Sequence, residues 1–353
     1  MNLGIICEFN PFHKGHKYLI DSVKGKDDCV ICAMSGNFVQ RGEFAVYDKF
    51  TRAKTAVENG ADLVIEIPTV FALRSAQGFA QAGVALLEGT GVCEGLAFGA
   101  ECADTKELKR VAEMIKSKAD EIKEELKKGI SYPAARQNII NSPLLETPNN
   151  ILAVEYVSCT KLKTVAVERI GKGHDSDDNE YSASEIRKHL DENEISSIKN
   201  CERAVLYKLR NMKAEDFARI EDVSEGLENR IAEAVKTATT LDELYELIKT
   251  KRYTHSRIRR IILRAYLGIE KVPEKPQYIR VLAFNEKGRD LLAQIKKSSA
   301  LPVIVKYSDA KALGGEILES VEQEFRLTDV YNLGYKNIKP CNTEQTNKVE
   351  VIR

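Results

Sequence analysis

Two histidines three residues apart, His13 and His16, follow a short apolar run at the start of the chain (MNLGIICE, residues 1–8), with Lys14 and Gly15 between them. Phe9, Asn10, Pro11 and Phe12 break the run. A helical pattern then continues through Tyr18, Leu19, Ile20 and Val23. A helix opening there leaves unpaired backbone N–H groups at the positive end of its dipole, which is a place for a phosphate. If it begins near Lys14, the two imidazoles share one face, and Gly15 leaves room for a nucleotide's ring or phosphates to approach closely. The plainer reading is a pair of solvated or capping histidines.

A second polar group stands in residues 35–43 (SGNFVQRGE), directly after the apolar run 29–34 (CVICAM). Ser35, Gly36, Asn37 and Gln40 put hydroxyl and amide groups, with Arg41, at the end of a buried strand. That suits a small polar or carboxylate substrate better than a surface turn does. Asp48, Lys49 and Arg52 follow on the first turns of the next helix, where Asp48 is either an N-cap or a site residue. Further on, Tyr181, Ser182, Ser184 and Arg187 (YSASEIR) open a helix with hydroxyls ahead of an arginine one turn in, a pattern that by itself is a cap. Cys29 and Cys32 form a CxxC inside an apolar strand, without a second pair to complete a zinc site. With the other six cysteines scattered, they read as core residues.

The elements needed to position these groups are legible as alternation. Strands are expected at residues 2–8, 29–34, 61–67, 95–101 and 164–170, with helices at 49–59, 77–88, 105–128 and from 149 onward. This βαβ series is simplest as a doubly wound, Rossmann-like parallel sheet. Ligands bind outside the C-terminal ends of such strands, so the His13 loop, residues 35–41 and Gly99 should surround one crevice. The strand at 164–170 delivers Arg169 and Ile170 to the same edge, followed by a polar loop containing His174.

The stretch CEFNPFHKGH resembles the HxGH signature of the nucleotidylyltransferase superfamily, and YSASEIR its second signature, SxSxIR. Together with SGNFVQRGE and KFTRAKTAVENGADLVIEIP, they are similar to the bacterial tRNA(Met) cytidine acetate ligase family. The resemblance implies activation of acetate by ATP as acetyl-adenylate, then transfer of the acetyl group to N4 of the wobble cytidine of elongator tRNA(Met). It implies ATP contacts from Cys7, Glu8, Phe9, Asn10, Pro11, Phe12, His13, Lys14, Gly15, His16, Lys17, Tyr18, Leu19 and Ile20. Gly99, Asn150, Arg169, Ile170, Ser184 and Arg187 would complete that site, with Asn150 facing the nucleotide. His13, His16, Lys14 and Arg187 would carry the catalysis, by screening charge and holding the departing pyrophosphate. Acetate would fall to Ser35, Gly36, Asn37 and Gln40. No carboxylate cage for a metal is evident, consistent with Mg²⁺ arriving on the nucleotide, and no acyl-enzyme arrangement is present.

The chain has 353 residues, 43% apolar, with 53 basic and 53 acidic side chains. Such a length suggests two or three domains: a catalytic one at 1–192, a helical one at 193–272 and a small C-terminal α/β part at 273–353. No stretch reaches a membrane span and no signal peptide is visible, so a cytoplasmic protein is expected. With zero net charge, RNA must be met by a local basic patch. Residues 249–264 (KTKRYTHSRIRRIILR) offer one. Lys251, Arg252, Arg257, Arg259 and Arg260 are expected to face out toward RNA phosphates, with Tyr253 available to stack on a base. A small-metabolite adenylyltransferase without RNA and an inactive nucleotide-binding adaptor both stay open, as does homodimerisation.

Overall fold

The structure is a computed structural model and describes residues 1–169 and 183–353. Ile170, His174, Tyr181 and Ser182 lie outside the described residues. Its strands are β1 Asn2–Cys7, β2 Cys29–Ser35, β3 Phe38–Val39, β4 Glu43–Phe44, β5 Leu63–Ile67, β6 Gly95–Ala100, β7 Lys163–Glu168, β8 Ile279–Phe284, β9 Val303–Ile304 and β10 Glu350–Val351. Eight of them form one sheet in the order β10-β8-β5-β2-β1-β6-β7, with β9 also on β8, while β3 and β4 make a separate hairpin. The β5-β2-β1-β6-β7 segment is parallel throughout. Strand order reverses between β1 and β6, the crevice where such sheets take ligands.

The middle strands are apolar because both faces are covered. Ile31, Cys32, Val64 and Ile65 are completely buried, and Cys32 and Cys29 belong to the core as expected of them. The helix expected at 105–128 is interrupted at Lys118, giving Thr105–Ser117 and Ala119–Leu126. The break lets Ile122 turn into the core, where it is 2% exposed.

The C-terminal part is not the separate small α/β unit that the sequence suggests. Its strand β8 runs antiparallel against β5, with Ile65 opposite Val281, and β10 closes the edge beyond it. The reason is legible in hindsight: Ile279, Val281, Leu282 and Ala283 are apolar on both faces, and a two-strand appendage could not cover both. Charge fastens the same junction. Lys49 Nζ lies 2.7 Å from Glu66 and 2.6 Å from Glu344, and Glu324 accepts from the Thr69 backbone N–H at 2.8 Å, all of these side chains buried. Lys49 therefore belongs to the scaffold and not to a substrate site. Breaking one partner of such a buried set typically costs about 3–5 kcal/mol.

A chain ending at Val272 would expose one edge of β5 and leave Lys49 and Glu66 without Glu344. It is expected to be insoluble, or to lose the cooperative thermal transition followed by circular dichroism. A soluble 1–272 fragment that melts cooperatively would show the C-terminal part to be dispensable for folding.

Candidate active site

The end of β1 leads into a loop that delivers both histidines to the first turn of the helix Lys14–Val23. His13 is the N-cap, and its Nδ1 accepts from the Gly15 N–H at 3.0 Å. His16 reaches back so that its own Nδ1 accepts from the His13 N–H at 3.3 Å. Imidazoles thus take both halves of a reciprocal capping box usually made by a hydroxyl and a carboxylate. The rings stack with centroids 3.7 Å apart, and Phe9 meets His16 edge-on at 4.9 Å.

This geometry sets the protonation state. A nitrogen that accepts from a backbone N–H carries no proton, so each neutral ring holds its hydrogen on Nε2. Burial, with Arg169 and Arg187 nearby, lowers His13 to about 4. Burial, then His13, then Arg169 lower His16 well below its ordinary value. Both are neutral near pH 7 and act as uncharged N–H donors at a positive helix end.

Across the loop, the helix Ala183–Lys188 brings Arg187 over the same place, and its Nη1 donates to the Asn10 carbonyl at 2.6 Å. Asn10 Oδ1 in turn accepts from the Val46 N–H at 2.8 Å, which ties the loop to the segment after the β3–β4 hairpin. Together these groups border a cavity of about 1100 Å³ at the strand-order reversal. Cys7, Glu8, Phe9, Asn10, His13, Gly15, His16, Tyr18, Leu19, Gly99, Arg169, Ser184 and Arg187 all line it. Burial raises the Glu8 carboxyl above its usual range, and Glu8 accepts from the Gln40 N–H at 2.6 Å.

Other expected site residues are elsewhere. Pro11, Phe12, Lys14, Lys17 and Ile20 do not line the cavity. Lys14 is exposed, Lys17 pairs with Asp21, and Ile20, one turn beyond His16, is 1% exposed in the core beneath the helix. Ser35, Gly36 and Asn37 are sealed inside. Asn37 bridges Thr328 and the Lys49 N–H, and the Gly36 carbonyl accepts from Arg52. Of the four residues expected to hold acetate, only Gln40 reaches the cavity. Asn150, 4% exposed, accepts from the Cys102 N–H and pins the loop after β6, while its neighbour Asn149 lines the cavity. Asp48 is the N-cap of its helix, accepting from Phe50 and Thr51, and Arg52 is a buried donor to Tyr47, Glu8 and Gly36 carbonyls.

The basic stretch does not present an outward, unpaired face. Arg264 is 1% exposed and pairs with Glu221 at 2.7 Å, and Arg260 is buried, which lowers it to about 10. Arg259 pairs with Glu43 at 2.5 Å, Arg252 with Glu225 at 3.2 Å, and Arg257 donates to the Asp222 carbonyl. Tyr253 is buried beneath Arg257 and cannot stack on a base. The neutralising groups come from distant segments, which local sequence does not reveal. Arg252, Arg257, Arg259 and Arg260 nevertheless line the same cavity, whereas Lys251 does not. Gly42 permits this approach: at φ +77° it lies so near the helix His255–Leu267 that a Cβ would sit 2.5 Å from the Arg260 nitrogen. Sequence reading missed Tyr132, Arg136 and Glu155, which also line the cavity.

Among the described residues no three or more His, Cys, Asp or Glu side chains converge to hold a metal, and no helix is long and apolar enough to cross a membrane. A parallel sheet with paired histidines at its switch-point cavity, opposite a serine–arginine helix, defines a nucleotidyl transferase. Residues 1–346 match the family described as HIGH Nucleotidyl Transferase. The chain is 39% identical to the tRNA(Met) cytidine acetate ligase of Thermoanaerobacter sp. (strain X514), over 95% of this chain and 96% of the relative. It is 35% identical to that of Acetivibrio thermocellus over 95% of both. The crystal structure of Thermotoga maritima TmcAL bound with alpha-thio ATP superposes with a TM-score of 0.88 at 31% identity, covering 100% of this chain and 99% of that one. The apo form of that protein gives a TM-score of 0.90 at 30% identity. Within the HIGH nucleotidyl transferases, the chain belongs to the tRNA(Met) cytidine acetate ligase family.

The lowered histidines make a signed prediction. Between about pH 6.5 and 4 the unfolded chain binds protons that the buried rings refuse, so this pair's contribution to stability falls as pH drops through that window. In histidine NMR titrations, assigned with His13→Asn and His16→Asn, His13 should titrate near pH 4 and His16 well below 6.5. Midpoints near 6.5 would contradict the buried, neutral arrangement.

Proposed function

We propose that this chain activates acetate with ATP and passes the acetyl group to N4 of the wobble cytidine of elongator tRNA(Met). The observation that carries this reading is the pair of neutral imidazole donors gathered with Arg169 and Arg187 at one cavity. An acetate oxygen attacks the α-phosphorus, and the bond to the β-phosphate oxygen breaks, with pyrophosphate taking the electron pair. The Nε2–H groups of His13 and His16 stabilise charge on the α-phosphate oxygens as they become more negative. Arg187, Arg169 and Ser184 hold the pyrophosphate end at a helix start. The N4 amine then attacks the acetyl carbon, the carbon–oxygen bond to AMP breaks, and the amine loses one proton. No acyl-enzyme is required.

The cavity's arginines and N–H donors are suited to hold the triphosphate, and Mg²⁺ bound to that triphosphate would supply further charge neutralisation there. At about 1100 Å³ the cavity exceeds what one small ligand takes, roughly 300–1,000 Å³, leaving space for an acceptor nucleoside beside ATP. The arginines at 252, 257 and 259 suit the phosphates flanking that nucleoside. Work on a tRNA suits a cytoplasmic enzyme.

Two measurements test the reading. ATP–pyrophosphate exchange should depend on acetate, and His13→Ala or His16→Ala should each lower it roughly 10²–10³-fold, as loss of an oxyanion donor does. Labelled acetate with ATP and total tRNA should yield N4-acetylcytidine in nucleoside digests, and Arg257→Ala with Arg259→Ala should weaken tRNA binding and reduce its salt dependence. Exchange indifferent to acetate, or no label in the cytidine fraction, would refute it.

A further inference from the structure

One part of the cavity wall has no task in the activation step. The helices Tyr132–Ile140 and Pro148–Cys159 carry Arg136 and Glu155, whose side chains pair at 2.6 Å and are 3% and 11% exposed. Arg136 Nε is buried without a hydrogen-bond partner among the described residues. Tyr132, one turn before Arg136, lies under its guanidinium at 5.5 Å and is 44% exposed at the same cavity. A buried ion pair adds little to stability against an apolar replacement, and an orphaned N–H makes it worse, so packing alone is a poor account of this trio.

We propose that Arg136 and Glu155 form the subsite that reads the Watson–Crick edge of the acceptor cytosine, with Tyr132 stacking on its face. This rests on the ligase reading given above. Cytosine presents an amino donor at N4 beside acceptors at N3 and O2. A carboxylate next to a guanidinium is the complementary pattern: Glu155 accepts one N4 hydrogen while Arg136 donates to the ring acceptors. Uracil offers an acceptor at O4 and a donor at N3, so it would set lone pairs against the carboxylate. An exposed aromatic ring is the usual platform for an unstacked base. Arg252, Arg257 and Arg259, which line the same cavity, are left for the adjoining phosphates. Arg136 and Glu155 are thus specificity residues for the second half-reaction.

The test uses the full-length protein and two anticodon stem-loop RNAs, one with cytosine and one with uracil at the wobble position. Unaltered protein should bind the cytosine loop at least roughly tenfold more tightly, the discrimination that follows when a hydrogen-bonding site meets the wrong partner. In Arg136→Met and Glu155→Gln the two affinities should converge to within about twofold. Because breaking a buried pair can unfold a protein, the doubly apolar Arg136→Met/Glu155→Met variant, which leaves no orphaned charge, is measured in parallel. Tyr132→Leu should weaken both loops equally. Acetate-dependent pyrophosphate exchange, which involves no RNA, reports separately on the nucleotide site. Retained preference for cytosine in the double variant overturns the subsite. So does loss of exchange in step with loss of preference, which would put the pair in ATP binding. Absence of acetate-dependent exchange in the unaltered protein would instead sink the ligase reading.

Discussion

The reciprocal cap at the start of the first helix is the interaction on which the rest depends. Because each Nδ1 is occupied by a backbone N–H, two rings that could have been cationic, or could have shown either nitrogen, become neutral donors with Nε2 forward. The helix dipole, burial and the flanking arginines all favour the same state. Positive charge beside the histidines therefore comes from Arg169 and Arg187, and the histidines contribute directed hydrogen bonds. A neutral donor does not hold so strongly to a departing phosphate as an imidazolium would, which suits a site that must release pyrophosphate and AMP in turn.

That cap is held by contacts reaching far along the chain. Asn10 joins it to Val46, Arg187 joins it to Asn10, and Arg52 binds the carbonyls of both Glu8 and Gly36. Lys49, three residues before Arg52, is anchored by Glu66 and by Glu344 near the C-terminus. The C-terminal segment thus stabilises the floor beneath the site through buried charge, although it contributes no residue to the cavity lining. Gly42 and the Arg259–Glu43 pair perform the same service for the arginine wall.

Much of the catalytic half was legible in the sequence because its signals are local. Both-face apolar strands, Asp48 as a cap and the His13–His16 spacing depend on neighbours a few residues away. What could not be read there depends on partners hundreds of residues distant. Asn37 looked like a substrate ligand because its partner Thr328 is invisible at that range, and the arginines of 249–264 looked unpaired because Glu43, Glu221 and Glu225 lie in other segments. β8 read as part of an appendage because an antiparallel strand returning to a sheet's edge leaves no trace in local periodicity. Arg136 and Glu155 are ordinary helix residues until two helices bring them together at 2.6 Å.

The tautomer of the two imidazoles is the most direct point of attack. Long-range ¹H–¹⁵N correlation spectra of ¹⁵N-histidine-labelled protein at pH 7 should show unprotonated Nδ1 and protonated Nε2 for both His13 and His16. Addition of a non-hydrolysable ATP analogue should shift the Nε2 signals while leaving Nδ1 unprotonated. An imidazolium pattern, or a proton on Nδ1 of either ring, would contradict the neutral-donor site on which the proposed chemistry is built.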